Sequence, residues 1–173
     1  MAATEAPRDF AHLVATGVAV ERVSMANFAA LERNPLDPVN VIDLGASVPE
    51  AIRRHTRTIS EQSLVVVQLG DNVPPATLGD FVPRYRALLA AAHRGRVLCL
   101  STWWRNSAKD DAMRAACADA GGTFVFIGDI FNDPANPDRA KHVYANEGVN
   151  NHPQDWGMRV IADRVLRAAL DAS

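Results

Sequence analysis

Two short apolar runs, Leu64-Val65-Val66-Val67 and Val97-Leu98-Cys99-Leu100, set the tightest limit on what this chain can fold into. Neither carries a polar residue for solvent, so each reads as a strand buried on both faces, within Ser63 to Leu69 and Arg96 to Leu100. That is the habit of parallel sheets covered by helices. Between them lies a long helix pattern, Leu78 to His93, with Phe81, Tyr85, Leu88 and Leu89 on one face.

The remaining segments extend this alternation. Residues 7 to 16 read as a helix with Pro7 in its first turn, and Val18 to Met25 as a strand. Asn27 to Asn40 holds turn formers and two prolines and reads as loop. Ser47-Val48-Pro49-Glu50 is a capping box that opens a helix through about Ile59. Lys109 to Ala120 is a helix stopped by Gly121-Gly122, and Thr123 to Ile127 is the next strand. After a long irregular stretch over 128–154, Trp156 to Ala172 closes the chain as a helix with Met158, Ile161, Val165, Leu166 and Leu170 inward. The order predicts one α/β domain over residues 1–173, a three-layer sandwich with a mostly parallel sheet. Asn72, Ser101 to Asn106 and Asp129 then share the strands' C-terminal edge, where such sheets place their working residues.

Composition narrows the function. A formal net charge of −2 favours no nucleic-acid or membrane partner. No apolar run approaches the ~20 residues that cross a bilayer, and residues 1–9 lack the basic and apolar segments of a signal peptide. Cys99 and Cys117 are too few and too far apart for a disulfide framework or a zinc site. They read as small buried apolar residues, and a reduced, cytoplasmic setting is expected. His55, His93 and His142 have no partners at metal spacing. Asp129, Asp133 and Asp138 lack the ordered pattern of a calcium loop and suit turns and caps. No cofactor or metal is expected, and the oligomeric state stays open.

Two motifs carry chemistry. In Glu147-Gly148-Val149-Asn150-Asn151-His152-Pro153-Gln154-Asp155-Trp156-Gly157-Met158, a histidine is stiffened by the proline after it and stands just ahead of a helix. That is a way to present a general base, although an isolated His-Pro also serves simply to cap or pack. Gly70-Asp71-Asn72 ends a strand with a glycine turn and an amide able to donate to an oxyanion; Asn72 as an ordinary turn residue is the plainer reading. Trp103 and Trp104, with Asn106, suit the wall of an acyl or sugar pocket, or one indole covers the sheet end. Asp155 reads as the N-cap of the last helix, and secondarily as a partner for His152.

These residues resemble the SGNH hydrolases, the GDSL-like esterase and lipase superfamily. Val65 to Asn72 is similar to the family's third block, a strand followed by Gly-x-Asn whose asparagine is an oxyanion donor. His152-Pro153 through Met158, followed by Ile161-Ala162-Asp163, resembles the last block, whose histidine is the base. The resemblance implies a flavodoxin-like sheet and Ser-His hydrolysis of short, acetyl-type esters of a carbohydrate or small alcohol. His152 and Asn72 are then the catalytic residues.

Two departures stand out. The family's last block carries an aspartate three residues before the histidine, where this chain has Val149; Glu147 or a backbone carbonyl is the substitute. The Gly-Asp-Ser block that follows the family's first central strand has no counterpart upstream of residue 25. Either the chain starts late, at an internal methionine, or it is a degenerate homologue missing that strand. Ser47, in Leu44-Gly45-Ala46-Ser47, superficially imitates the nucleophile, but its hydroxyl already suits the capping box. The competing expectation is a catalytically inactive SGNH-like module that binds an acylated ligand or a partner chain. A flavodoxin-like nucleotide binder is a weaker third, for want of a glycine-rich phosphate loop.

Overall fold

The computed structural model describes residues 3–18, 31–32, 48–138 and 144–171. Val18 caps the first helix. The rest of the strand expected to Met25, most of the loop expected to Asn40, and Ser47 lie outside the described residues. Leu31 and Glu32, inside that expected loop, are helical and buried.

The described residues of Met25–Thr102 and Asn106–Phe126 form one compact unit. Its helices are α2 (Val48–Thr56), α3 (Leu78–Ala92) and α4 (Ser107–Asp119), and its strands are β1 (Leu64–Gln68), β2 (Arg96–Leu100) and β3 (Thr123–Val125). The strands form an open parallel sheet in the order β1-β2-β3. Val66 pairs with Leu98, and Cys99 with Phe124. Because side chains alternate across a strand, Val67, Val97 and Cys99 share one face. They pack there into a core with Ile52, Phe81, Tyr85, Leu88, Leu89, Met113 and Cys117 from the three helices. Phe81 and Tyr85, one turn apart on α3, stack with ring centroids 5.5 Å apart. Leu98 and Leu100 alternate with these residues and are also fully buried, as the apolar run in β2 predicts.

β1 departs from its reading as a strand buried on both faces. Leu64 to Val66 are half-buried and Gln68 is exposed. β1 pairs with β2 alone among the described residues, so it is an edge of this sheet. The cysteines also correct the expectation. Cys99 of β2 and Cys117 of α4 form a disulfide, with Cα atoms 6.2 Å apart and both residues fully buried. The inference from free thiols to a reducing compartment therefore loses its premise.

The described residues of Met1–Ser24, Trp103–Arg105 and Ile127–Ser173 form the other unit. It holds α1 (Phe10–Gly17), the short helix α5 (Glu147–Asn150) and α6 (Asp155–Asp171). α1 packs along α6, which buries Met158, Ile161, Ala162, Val165 and Ala169. That stripe has the i, i+3, i+4, i+7 spacing of an amphipathic helix. Ala169, not Leu170, completes it; Leu170 is 68% exposed.

Asp155 lies inside α6 rather than capping it. The Trp156 amide is capped instead by Asp138 Oδ2 at 3.0 Å, while the Asp155 carboxylate accepts from the Thr4 amide, the Thr4 hydroxyl and Arg8 Nη1. Arg164 reaches back from α6 to both oxygens of Asp129. Among the described residues, no helix is long and apolar enough to cross a membrane.

Candidate functional site

In the sheet unit, the chain leaves β1 through Gly70, whose φ of +112° is open to glycine and strained for other residues. A Cβ at this position would also come within 2.6 Å of Met113 Sδ. The turn so formed is held from two sides. Lys109, at the start of α4, donates from Nζ to the carbonyl oxygens of Gly70 (3.0 Å) and Asp71 (3.2 Å). Glu32 accepts the Gly70 backbone N–H at Oε1 and the Asn72 side-chain Nδ2 at Oε2, the latter at 3.0 Å. Lys109 and Glu32 are both buried, at 9% and 4% exposure. Charged groups so far from water persist only when their hydrogen-bonding capacity is used. Asn72 itself is exposed.

The exit of β2 is tied down by the same helix. Asp110 is buried, and its carboxylate accepts from Thr102 N (3.0 Å), Thr102 Oγ1 (2.9 Å) and Asn106 N (3.2 Å). The two strand exits are thus fixed by adjacent residues, Lys109 and Asp110, of one helix turn.

In the helical unit, His152 is half-buried in the turn before α6. Its backbone N–H reaches Val149 O at 3.1 Å, and its ring stands edge-on to Trp104. Its neighbour Asn151 accepts from Trp103 Nε1 at 2.8 Å. Trp103 is 2% exposed and edge-on to Phe131, so this indole anchors the turn and Trp104 is the one that meets the imidazole. Gly157 makes the close approach feasible, since a Cβ there would lie 3.2 Å from both Pro153 Cβ and Trp103 Cη2. Burial pulls the His152 pKa below the ordinary imidazole value, so the ring is neutral at neutral pH.

Comparison with family models, with curated proteins and with solved structures finds no match.

Among the described residues no ion pair joins His152 to a carboxylate. Val149 contributes only its carbonyl, to the backbone; Asp155 is engaged by Thr4 and Arg8. The Glu147 side chain lies outside the described residues. An imidazole of this kind can accept a proton, but among the described residues no acid is placed to stabilise the imidazolium. Asn72 can offer a polarised N–H to solvent. An open cleft of about 420 Å³ in the helical unit is walled by Trp156, Arg159, Asp138 and Gln154, and His152 is not part of it. No group of three or more His, Cys, Asp or Glu that could hold a metal occurs among the described residues.

Among the arrangements that escaped the sequence reading, two involve buried carboxylates. Glu32 stands 38 residues before Gly70 and no periodicity links them. Asp9, only 1% exposed, caps α1 by accepting the His12 amide at 3.0 Å and also takes His12 Nδ1 at 2.7 Å. The Asp9-x-x-His12 spacing was the available signal, since an N-cap and the residue three positions on lie side by side.

Proposed function

We propose that this chain is an SGNH-type carboxylic-ester hydrolase acting on short acyl, acetyl-type esters of a carbohydrate or small alcohol, on a flavodoxin-like three-layer framework. The observation that carries the reading is His152: a half-buried imidazole held against Trp104 in a turn anchored through Trp103 and Asn151. In the proposed reaction a serine hydroxyl attacks the ester carbonyl while His152 takes its proton. The oxyanion is met by Asn72 Nδ2, and the expelled alcohol recovers the proton from His152. Water then repeats the sequence on the acyl-enzyme. Ser47, the candidate nucleophile named from sequence, lies outside the described residues. A cytoplasmic setting belongs to this proposal only if Cys99 and Cys117 are reduced there, because disulfides are rare in that compartment.

The test is hydrolysis of p-nitrophenyl acetate by the full chain and by His152→Ala, Asn72→Ala and the double variant. Each single change lowers kcat about a hundredfold or more, and the double variant is no more active than the weaker single one. A wild-type rate no greater than that of His152→Ala ends the reading. The second reading, a catalytically inactive module that binds an acylated ligand or partner chain, is favoured by one observation: no described carboxylate pairs with His152. Saturable binding of an acetylated sugar without turnover is its signature.

A further inference from the structure

We propose that Glu32 is a positioning residue that fixes which end of the Asn72 amide faces the carboxylate and which faces outward. A carboxylate can only accept hydrogen bonds. With Oε2 3.0 Å from Asn72, Glu32 forces the nitrogen end of that amide toward itself and holds the oxygen end away. The other carboxylate oxygen takes the Gly70 amide, so the carboxylate is gripped at both ends by the turn it orients. A primary amide carries two N–H groups in one plane. Spending one on Glu32 leaves the second with a single direction, set by the amide plane, on a residue that is exposed. Lys109, donating to the carbonyls of Gly70 and Asp71, sets a positive charge against the same turn. That charge offsets the cost of an oxyanion forming beside Glu32.

The decisive variant is Glu32→Gln, because it keeps shape and reverses half of the chemistry. If the glutamine oxygen stays on the Gly70 amide, its NH₂ group faces Asn72, and Asn72 must turn its amide over to present Oδ1. The donor nitrogen then moves to where the oxygen had been. The inference rests on the ester-hydrolase reading only for its rate measurement, so the experiment has two arms.

The first arm uses the ¹⁵N-labelled full chain, with the Asn72 side-chain signals assigned through Asn72→Asp. In the unmutated protein, one of the two Asn72 Nδ2 protons is protected from solvent exchange and the other is not. In Glu32→Gln that protection is lost and both signals shift, while the backbone spectrum away from residues 70–72 is unchanged. Two equally exchanging protons in the unmutated chain overturn the proposal, whether or not Glu32→Gln folds. The second arm is p-nitrophenyl acetate hydrolysis. Glu32→Gln lowers kcat about a hundredfold with KM unchanged, and adding Asn72→Ala costs little more. An active wild type whose kcat is indifferent to Glu32→Gln also overturns the proposal. An inactive wild type removes the hydrolase reading alone, and the exchange measurement still decides the orientation.

Discussion

The imidazole of His152 meets the indole of Trp104 edge-on, with ring centroids 4.8 Å apart and ring planes at 66°. That contact contributes to the burial that disfavours the charged ring. The folded-state pKa lies below the unfolded value of about 6.5, so between the two the unfolded chain binds more protons. Stability is therefore unaffected by this group above that window and falls as pH drops through it. Trp104→Ala admits water, and the His152 pKa rises toward the unfolded value. Proton NMR titration of the His152 ring in both proteins checks this, and identical midpoints would remove Trp104 as the cause. The acid limb of any ester hydrolysis should move upward with it.

The Cys99–Cys117 bond closes a loop across 18 residues of sequence and joins a core strand to a core helix. Constraining a loop of that size in the unfolded chain is worth about 3 kcal/mol. Cys99→Ala with Cys117→Ala should cost roughly that much in urea unfolding. Alkylation of the denatured, unreduced protein should find no free thiol. Two free thiols would restore the cytoplasmic expectation, and reductant would then leave the unfolding midpoint unchanged.

Local signals were the legible part. β2 was read residue for residue at Arg96–Leu100, and α3 to within a residue, because apolar period and β-branching depend only on neighbours. What a crossover brings together was not legible. A helix following a parallel strand runs back along the sheet, and this returns Cys117 over Cys99 although the sequence keeps them 18 residues apart. Glu32 was invisible for the same reason, since a buried carboxylate finds its donors in space. At His152 the sequence singled out the ring and the Val149 that stands where an aspartate is usual, but the anchoring of its turn by Trp103 depends on an indole N–H meeting a distant carbonyl.

Two aspartates near the start of α6 should behave differently. Asp138 is 9% exposed and satisfies the Trp156 amide, so Asp138→Ala loses a helix cap and costs about 1–2 kcal/mol. Asp155 holds Thr4 and Arg8 at the surface. Burial pushes its pKa up, yet hydrogen bonds from Thr4 and Arg8 together hold it below the usual carboxylate range. Exposed pairs of this kind contribute about 0–1 kcal/mol. Thermal unfolding of Asp138→Ala and Asp155→Ala should rank them in that order, and the reverse ranking would return the capping role to Asp155.

Tyr85 is fully buried, and among the described residues its hydroxyl has no hydrogen-bond partner. Burial alone drives the phenol pKa well above its ordinary value. An unsatisfied buried hydroxyl costs about 1–3 kcal/mol, so Tyr85→Phe, which keeps the ring stacked on Phe81, should be neutral or stabilising by up to about 1 kcal/mol. A clear loss of stability in urea would mean that the hydroxyl is paired.

Lys109 offers the sharpest test of how the β1 exit is built. Its ammonium is buried and donates to two backbone carbonyls, one of them on the buried, positive-φ Gly70. Lys109→Met keeps nearly the same unbranched length and apolar stem, so packing changes little. The carbonyls of Gly70 and Asp71 lose their charged donor, and the turn that Glu32 also binds loses its positive charge. Hydrogen bonds to a charged group contribute about 1.5–3 kcal/mol each, so losing both should cost on the order of 3–6 kcal/mol. Backbone amide exchange at residues 70–73 should rise before exchange in β2, because the damage begins in the turn. Lys109→Arg retains the charge but presents a planar fork to two carbonyls fitted by one tetrahedral ammonium. It should fall between wild type and Lys109→Met, and equal stability of all three would show that the clamp contributes nothing to the turn.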